Sequence, residues 1–264
     1  MRINKFLASA GLGSRRACEA LVTEGRVTIN GHVCIILGTL IAPGDHVKVD
    51  GKIVKTEPQM HILMNKPRGV VCSADDEQGR RTIFDLIDRP MPRLFHVGRL
   101  DKESEGLIIL TNDGELALKL THPRYKLEKE YEVTLDKALD MELATKLRGG
   151  MYIEGGRARM ESVTQPKAAV LRVVLLQGIK RQIRLMLYKV GYEVERLKRI
   201  RIGPLRDPEL PTGSWRFLAP EEVKKLLAAE PRERPQRPAV PAGAKPAGKR
   251  PVARSARKTA PRRR

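Results

Sequence analysis

The sequence is short of cysteine and of aromatic residues. It has three cysteines, Cys18, Cys34 and Cys72, and none forms a CxxC pair. An odd and sparse set excludes a disulfide framework and points to a reducing compartment, the cytoplasm. The five histidines are scattered, so no zinc spacing arises and no metal is expected. No apolar run approaches the roughly 20 residues that a membrane helix needs. The opening MRINKFLASAG has only a short apolar patch, so neither a secretion signal nor a membrane association is expected.

Acidic residues are also in deficit. Lys plus Arg total 51 against 31 Asp plus Glu, a formal charge of +20. Residues 231–264 hold 12 of the basic residues and one acid, so the rest of the chain carries +9. A body that is basic without its tail attracts polyanions, and nucleic acid is the expected partner. The tail itself has seven prolines and no aromatics. It cannot bury enough apolar area to offset its ordering entropy, so it reads as a disordered segment that adds salt-sensitive RNA affinity.

The remainder divides in two. In residues 1–54, Ile3, Phe6, Leu7 and Ala10 recur at helical spacing, and Gly11 and Gly13 end that helix. Ser14 is placed to cap a second helix with Ala17, Ala20 and Leu21 on one face and Gly25 as its stop. Short strands follow at Val27–Ile29, Val33–Ile36, Val47–Val49 and Ile53-Val54, with Asn30-Gly31 and Asp50-Gly51 as turns. Residues 55–60, KTEPQM, suit a linker. Residues 61–230 form one larger block. Strands are expected at His61–Met64, Val70–Cys72, Leu94–Val97, Leu107–Leu110, Tyr131–Leu135 and Ala169–Leu176. Helices are expected at Gly114–Leu120, Met141–Leu147, Arg181–Val190 and Pro220–Ala229. That mixture implies an α+β fold with a mainly antiparallel sheet.

Several stretches resemble known families. KFLASAGLGSRRACEALVTEGRVTINGHV (5–33) looks like the S4-type RNA-binding domain, and the resemblance places Arg15 and Arg16 on RNA phosphates. GRLDKESEGLIILTNDGEL (98–116) resembles the catalytic motif of the RsuA/RluB/RluF-type ribosomal RNA pseudouridine synthases. NKPRGVVCS (65–73), THPRYKLEKEYEV (121–133), the segment from Gly178 to Leu205 and PTGSWRFLAPEEV (211–223) resemble that family's other motifs in the same order. The resemblance implies a pseudouridine synthase fold, with no cofactor.

Site residues follow from the resemblance position by position. It implies Asp101 as the catalytic aspartate and Tyr131 as the tyrosine that packs on the target base and helps move its proton. It makes Arg184 the basic residue paired with the aspartate. Arg99 would fill the space left by the extruded base. Arg15, Arg16, Lys180 and Arg181 complete the expected RNA-contacting set, and Lys66-Pro67 matches a motif of mainly structural character. Lys180 stands where the family often has Asn, and Leu185 where it often has a second Arg.

The chemistry is consistent with that set. Pseudouridine formation breaks an N-glycosidic bond, turns the uracil and rejoins it through carbon five, with no atom gained or lost. A carboxylate beside the sugar serves as nucleophile or as base at the 2′ position. The expected substrate is ribosomal RNA, with the large-subunit 23S RNA favoured over the small-subunit 16S RNA, and the expected state is a monomer. A non-catalytic RNA-binding or ribosome-assembly protein is the principal rival. A glycosidase-like hydrolase would need a spaced carboxylate pair, which Glu103 and Glu105 do not make.

Overall fold

A computed structural model describes the protein over residues 1–125 and 127–229. The basic tail expected at 231–264 lies outside the described residues. Helix α1 spans Ile3–Ser9 and α2 spans Arg15–Thr23, with the Ser14 hydroxyl accepting a hydrogen bond from the Ala17 amide at 3.1 Å. Strands β1 (Val27–Ile29), β2 (His32–Val33), β3 (Val47–Val49) and β4 (Lys52–Ile53) form an antiparallel sheet in the order β2-β1-β3-β4. Asn30 and Asp50 take φ of 52° and 49°, as the tight turns at Asn30-Gly31 and Asp50-Gly51 require. Ile3, Leu7, Cys18, Val22, Val27 and Val47 pack into a core distinct from the cores of the following residues. The strand expected at Val33–Ile36 stops at Val33. Beyond it Ile35 and Ile36 face solvent and find no strand partner.

From residue 61 on, the elements are β5 (His61–Lys66), β6 (Phe95–Val97), β7 (Glu105–Thr111), α3 (Gly114–Thr121), β8 (Lys129–Leu135) and α4 (Glu142–Gly149). Strands β9 (Met151–Ile153), β10 (Gly156–Ala158), β11 (Ser162–Lys167) and β12 (Val170–Leu175) follow. The chain closes with α5 (Gln182–Tyr188), β13 (Val194–Ile202), β14 (Trp215–Phe217) and α6 (Pro220–Ala228). The large sheet runs β11-β12-β8-β13-β7-β5-β14, with β6 also on β7. All its pairings are antiparallel except β13 with β7, so the expected α+β class and mainly antiparallel sheet are found. The expected strand at Val70–Cys72 does not form. Val71 makes one isolated bridge to Thr82, and Val70 and Cys72 instead bury their side chains under the sheet.

Alternation along the strands splits the interior. Ile62, Met64, Ile108, Leu110, Tyr131, Val133 and Leu197 point into one core, under α4 and α5. Leu63, Leu107 and Ile109 point into a second, covered by Leu116 of α3 and Leu226 of α6. No helix among the described residues is long and apolar enough to cross a membrane.

Candidate active site

The turn between β6 and β7 carries Arg99 through Ser104, and its backbone is tied down almost atom by atom. Lys66, the last residue of β5, has no exposed surface. Its ammonium donates to the carbonyl oxygens of Pro67 at 3.0 Å, Asp101 at 3.2 Å, Lys102 at 3.4 Å and Ser104 at 2.7 Å. Burial pushes the Lys66 ammonium below its ordinary range, and Cys72, Asp101, Glu103 and Glu105 pull it back towards the charged form. The Gly69 amide donates to the Lys102 carbonyl at 2.8 Å, and the Leu100 amide to the Cys72 sulfur at 3.4 Å.

The turn then enters β7 through Gly106, whose φ is +107°. A Cβ there would stand 2.2 Å from the Arg199 carbonyl oxygen, so only glycine lets β7 approach β13. That approach registers Gly106 beside Arg199, and Arg199 is in turn opposite Tyr131 on β8. Tyr131 therefore lies two strands, about 10 Å, from the end of the Asp101 turn.

Arg184 closes the arrangement from α5. Its guanidinium donates to the Val194 carbonyl at 2.6 Å and to the Glu103 carbonyl at 3.3 Å. Burial, and then the neighbouring Arg181, draw this group below its ordinary range, while Asp101 and Glu103 oppose the shift. An arginine so placed remains a cation. The direct ion pair expected between Arg184 and Asp101 does not form among the described residues. Both strong contacts of Arg184 are to carbonyls, and it acts on Asp101 through space and through the Glu103 backbone.

The Asp101 carboxylate is half-buried and accepts no hydrogen bond from a described residue, while the carbonyl oxygens of residues 101–104 are all engaged. Tyr131 is 8% exposed. Its hydroxyl has no partner among the described residues, yet it is not among their fully buried orphan atoms, so its tip meets solvent. The turn thus presents the unengaged Asp101 carboxylate on a braced frame, and β8 presents the unengaged Tyr131 hydroxyl.

The other expected residues are distributed around this frame. Arg99 is exposed in the same turn. Lys180 and Arg181 are exposed immediately before α5 and make no ion pair among the described residues; Arg181 takes a left-handed φ of 53°. Arg15 and Arg16 open α2 in the N-terminal module, exposed and without a carboxylate partner among the described residues. One residue was read only in part from the sequence and one was missed. Lys66 matched a motif, but its embrace of four carbonyls has no signature in a linear pattern. Gln182, 3% exposed, donates to the Arg159 carbonyl at 2.8 Å and so pins the strained backbone at Arg181.

A family model described as RNA pseudouridylate synthase matches residues 60–189, and an S4 domain model matches residues 1–47. The chain is 41% identical over 235 residues to an uncharacterized RNA pseudouridine synthase of Aquifex aeolicus, covering 87% of this chain and 94% of that one. It is 38% identical to ribosomal large subunit pseudouridine synthase B of Bacillus subtilis, over 86% of this chain and 96% of that protein. A crystal structure of a pseudouridylate synthase superposes with a TM-score of 0.63 at 27% identity, covering 86% of this chain and 99% of its own. With relatives this similar along nearly their whole length, the chain belongs to the RNA pseudouridine synthase family.

Proposed function

We propose that this protein isomerises a uridine of large-subunit ribosomal RNA to pseudouridine, with Asp101 as the catalytic residue. The observation that carries the assignment is the unengaged Asp101 carboxylate on a turn whose carbonyls are all tied. Residues 1–54 serve as the RNA-binding module, 55–60 as the linker and 61–230 as the catalytic domain. The large-subunit target follows the likeness to the Bacillus subtilis enzyme, whose name specifies that subunit.

In this reading the target uridine leaves its stack and enters between the Asp101 turn and Tyr131, at a cost of a few kcal/mol. The Tyr131 ring recovers part of that cost by packing on the uracil. As the bond from ribose to N1 breaks, positive charge develops at the sugar and the Asp101 carboxylate stands against it. A nucleophilic attack at carbon one and a proton abstraction at the 2′ position both use this one carboxylate. The freed uracil turns, carbon five bonds the ribose, and the proton lost from carbon five is balanced by one gained at N1. Tyr131 is the group placed to assist that proton. Arg184 holds the turn that carries Asp101 through the Glu103 carbonyl.

Asp101→Asn tests the catalytic assignment. Tritium release from RNA labelled at carbon five of uridine should fall by a factor on the order of 10⁴, as when a catalytic side chain is deleted, with RNA affinity retained. Wild-type release rates from the variant would overturn it. Pseudouridine mapping of both ribosomal RNAs in a deletion strain tests the target: one large-subunit position should be lost, and an unchanged large-subunit profile would refute the choice.

A further inference from the structure

Two tyrosines stand apart from everything described so far. Tyr152 on β9 is 73% exposed and Tyr188 at the end of α5 is 71% exposed, and neither ring has an aromatic or cationic neighbour among the described residues. They are nevertheless presented rigidly. The Lys189 ammonium donates to the Tyr152 carbonyl at 2.7 Å, which ties the end of α5 to the hairpin β9–β10. Gln177 grips the other strand of that hairpin, accepting from the Arg159 amide at 3.0 Å and donating to the Arg157 carbonyl at 3.2 Å. At the hairpin turn Gly155 lies so close to Ile179 that a Cβ would stand 2.9 Å from its side chain.

The surroundings of the rings are basic. Arg157 is paired directly across from Tyr152 on the hairpin, so both side chains leave the same face. Arg184 and Tyr188 are four residues apart, which places them on one side of α5, and Arg181 is exposed at the N-cap of that helix. Arg184 touches the Asp101 turn, and Tyr188 follows it one helical turn away, about 6 Å along the axis. The hairpin has one acid, Glu154, against its own Arg157 and the Lys189 that bonds it.

We infer that Tyr152 and Tyr188 form a stacking platform for unpaired RNA bases flanking the target uridine, with Arg157 and Arg181 holding the strand's phosphates. Exposed aromatic faces set among cations suit single-stranded nucleic acid, since every base has a π-face and each phosphate a charge. A double helix offers the charge but not the faces, because its bases are already stacked. The inference rests on the RNA-modifying reading above, and it adds the single-stranded character of the flanking RNA and the two residues that select it.

The test uses the full chain and two probes, a labelled oligouridylate and an RNA duplex of equal length, at elevated salt. Tyr152→Ala and Tyr188→Ala should each weaken oligouridylate binding about tenfold, and the duplex not at all. Phe at either position should bind the oligouridylate as the wild type does, because the ring is kept. Alanine variants that bind oligouridylate normally, or that lose both probes equally, would overturn the platform. The readout is affinity, so it stands apart from catalysis. A wild-type protein that releases no tritium, with alanine variants that still lose oligouridylate affinity, would sink the catalytic reading and leave the platform in place.

Discussion

Gly106 and Arg199 meet backbone to backbone. The Arg199 carbonyl occupies the space where any other residue at position 106 would carry its side chain. This contact sets the distance between the turn that holds Asp101 and the strand that faces Tyr131.

Gly106→Ala is therefore expected to be severely destabilising. It combines a 2.2 Å clash with backbone and a φ of +107° that side chains rarely adopt. A loss of about 3 kcal/mol or more is expected, in the range of overpacking and backbone strain together. Urea unfolding would measure it. A midpoint within error of the wild type would show that β7 shifts freely away from β13.

Lys66→Met should separate bracing from chemistry. The methionine fills similar space but takes the ammonium away from the carbonyls of Pro67 and of three turn residues, Asp101, Lys102 and Ser104. Stability should fall by about 2 kcal/mol or more. Turnover should fall further than stability explains, because the turn no longer holds Asp101 still. Single-turnover rates at a temperature where the variant is fully folded would check this. Wild-type rates there would remove Lys66 from any positioning role.

Lys129 gives a pH dependence with a definite sign. Burial, and then the nearby Arg199, draw its ammonium down from 10.5 to about 8. The folded state thus binds this proton less tightly than the unfolded chain does. The cost is fully present below about 8, shrinks as pH rises, and is gone above 10.5. Lys129→Met should raise stability at neutral pH by about 1 to 2 kcal/mol, discounted for solvent access. It should also abolish this residue's share of the stability gained with rising pH above 8. Thermal unfolding across that range decides the matter, and parallel curves for the two proteins would contradict the assignment.

Local rules made much of the N-terminal module legible. The Ser14 cap and the turns at Asn30-Gly31 and Asp50-Gly51 depend on neighbours in sequence, and all three form as their residue types dictate. What escaped depends on distant partners. The edge strand Trp215–Phe217 exists because β5 offers it a ladder, and the hairpin of β9 and β10 is too short to show a period. Val70–Cys72 has a strand's composition, yet those side chains fill the space beneath the sheet. Motif order indicated Asp101, Tyr131 and Arg184 as a set. It did not reveal that Arg184 reaches the turn through the Glu103 carbonyl, because a backbone acceptor leaves no mark on residue identity.

The parallel pairing of β13 with β7 is registered only at Lys198 with Glu105 and at Arg199 with Gly106. Two antiparallel plates, one ending at β13 and the other beginning at β7, are stitched along that short seam. The carboxylate of Asp101 belongs to one plate and the ring of Tyr131 to the other. Any slip along the stitching would open or shut the gap between them, so under the proposed mechanism two backbone pairings set the aperture offered to a base.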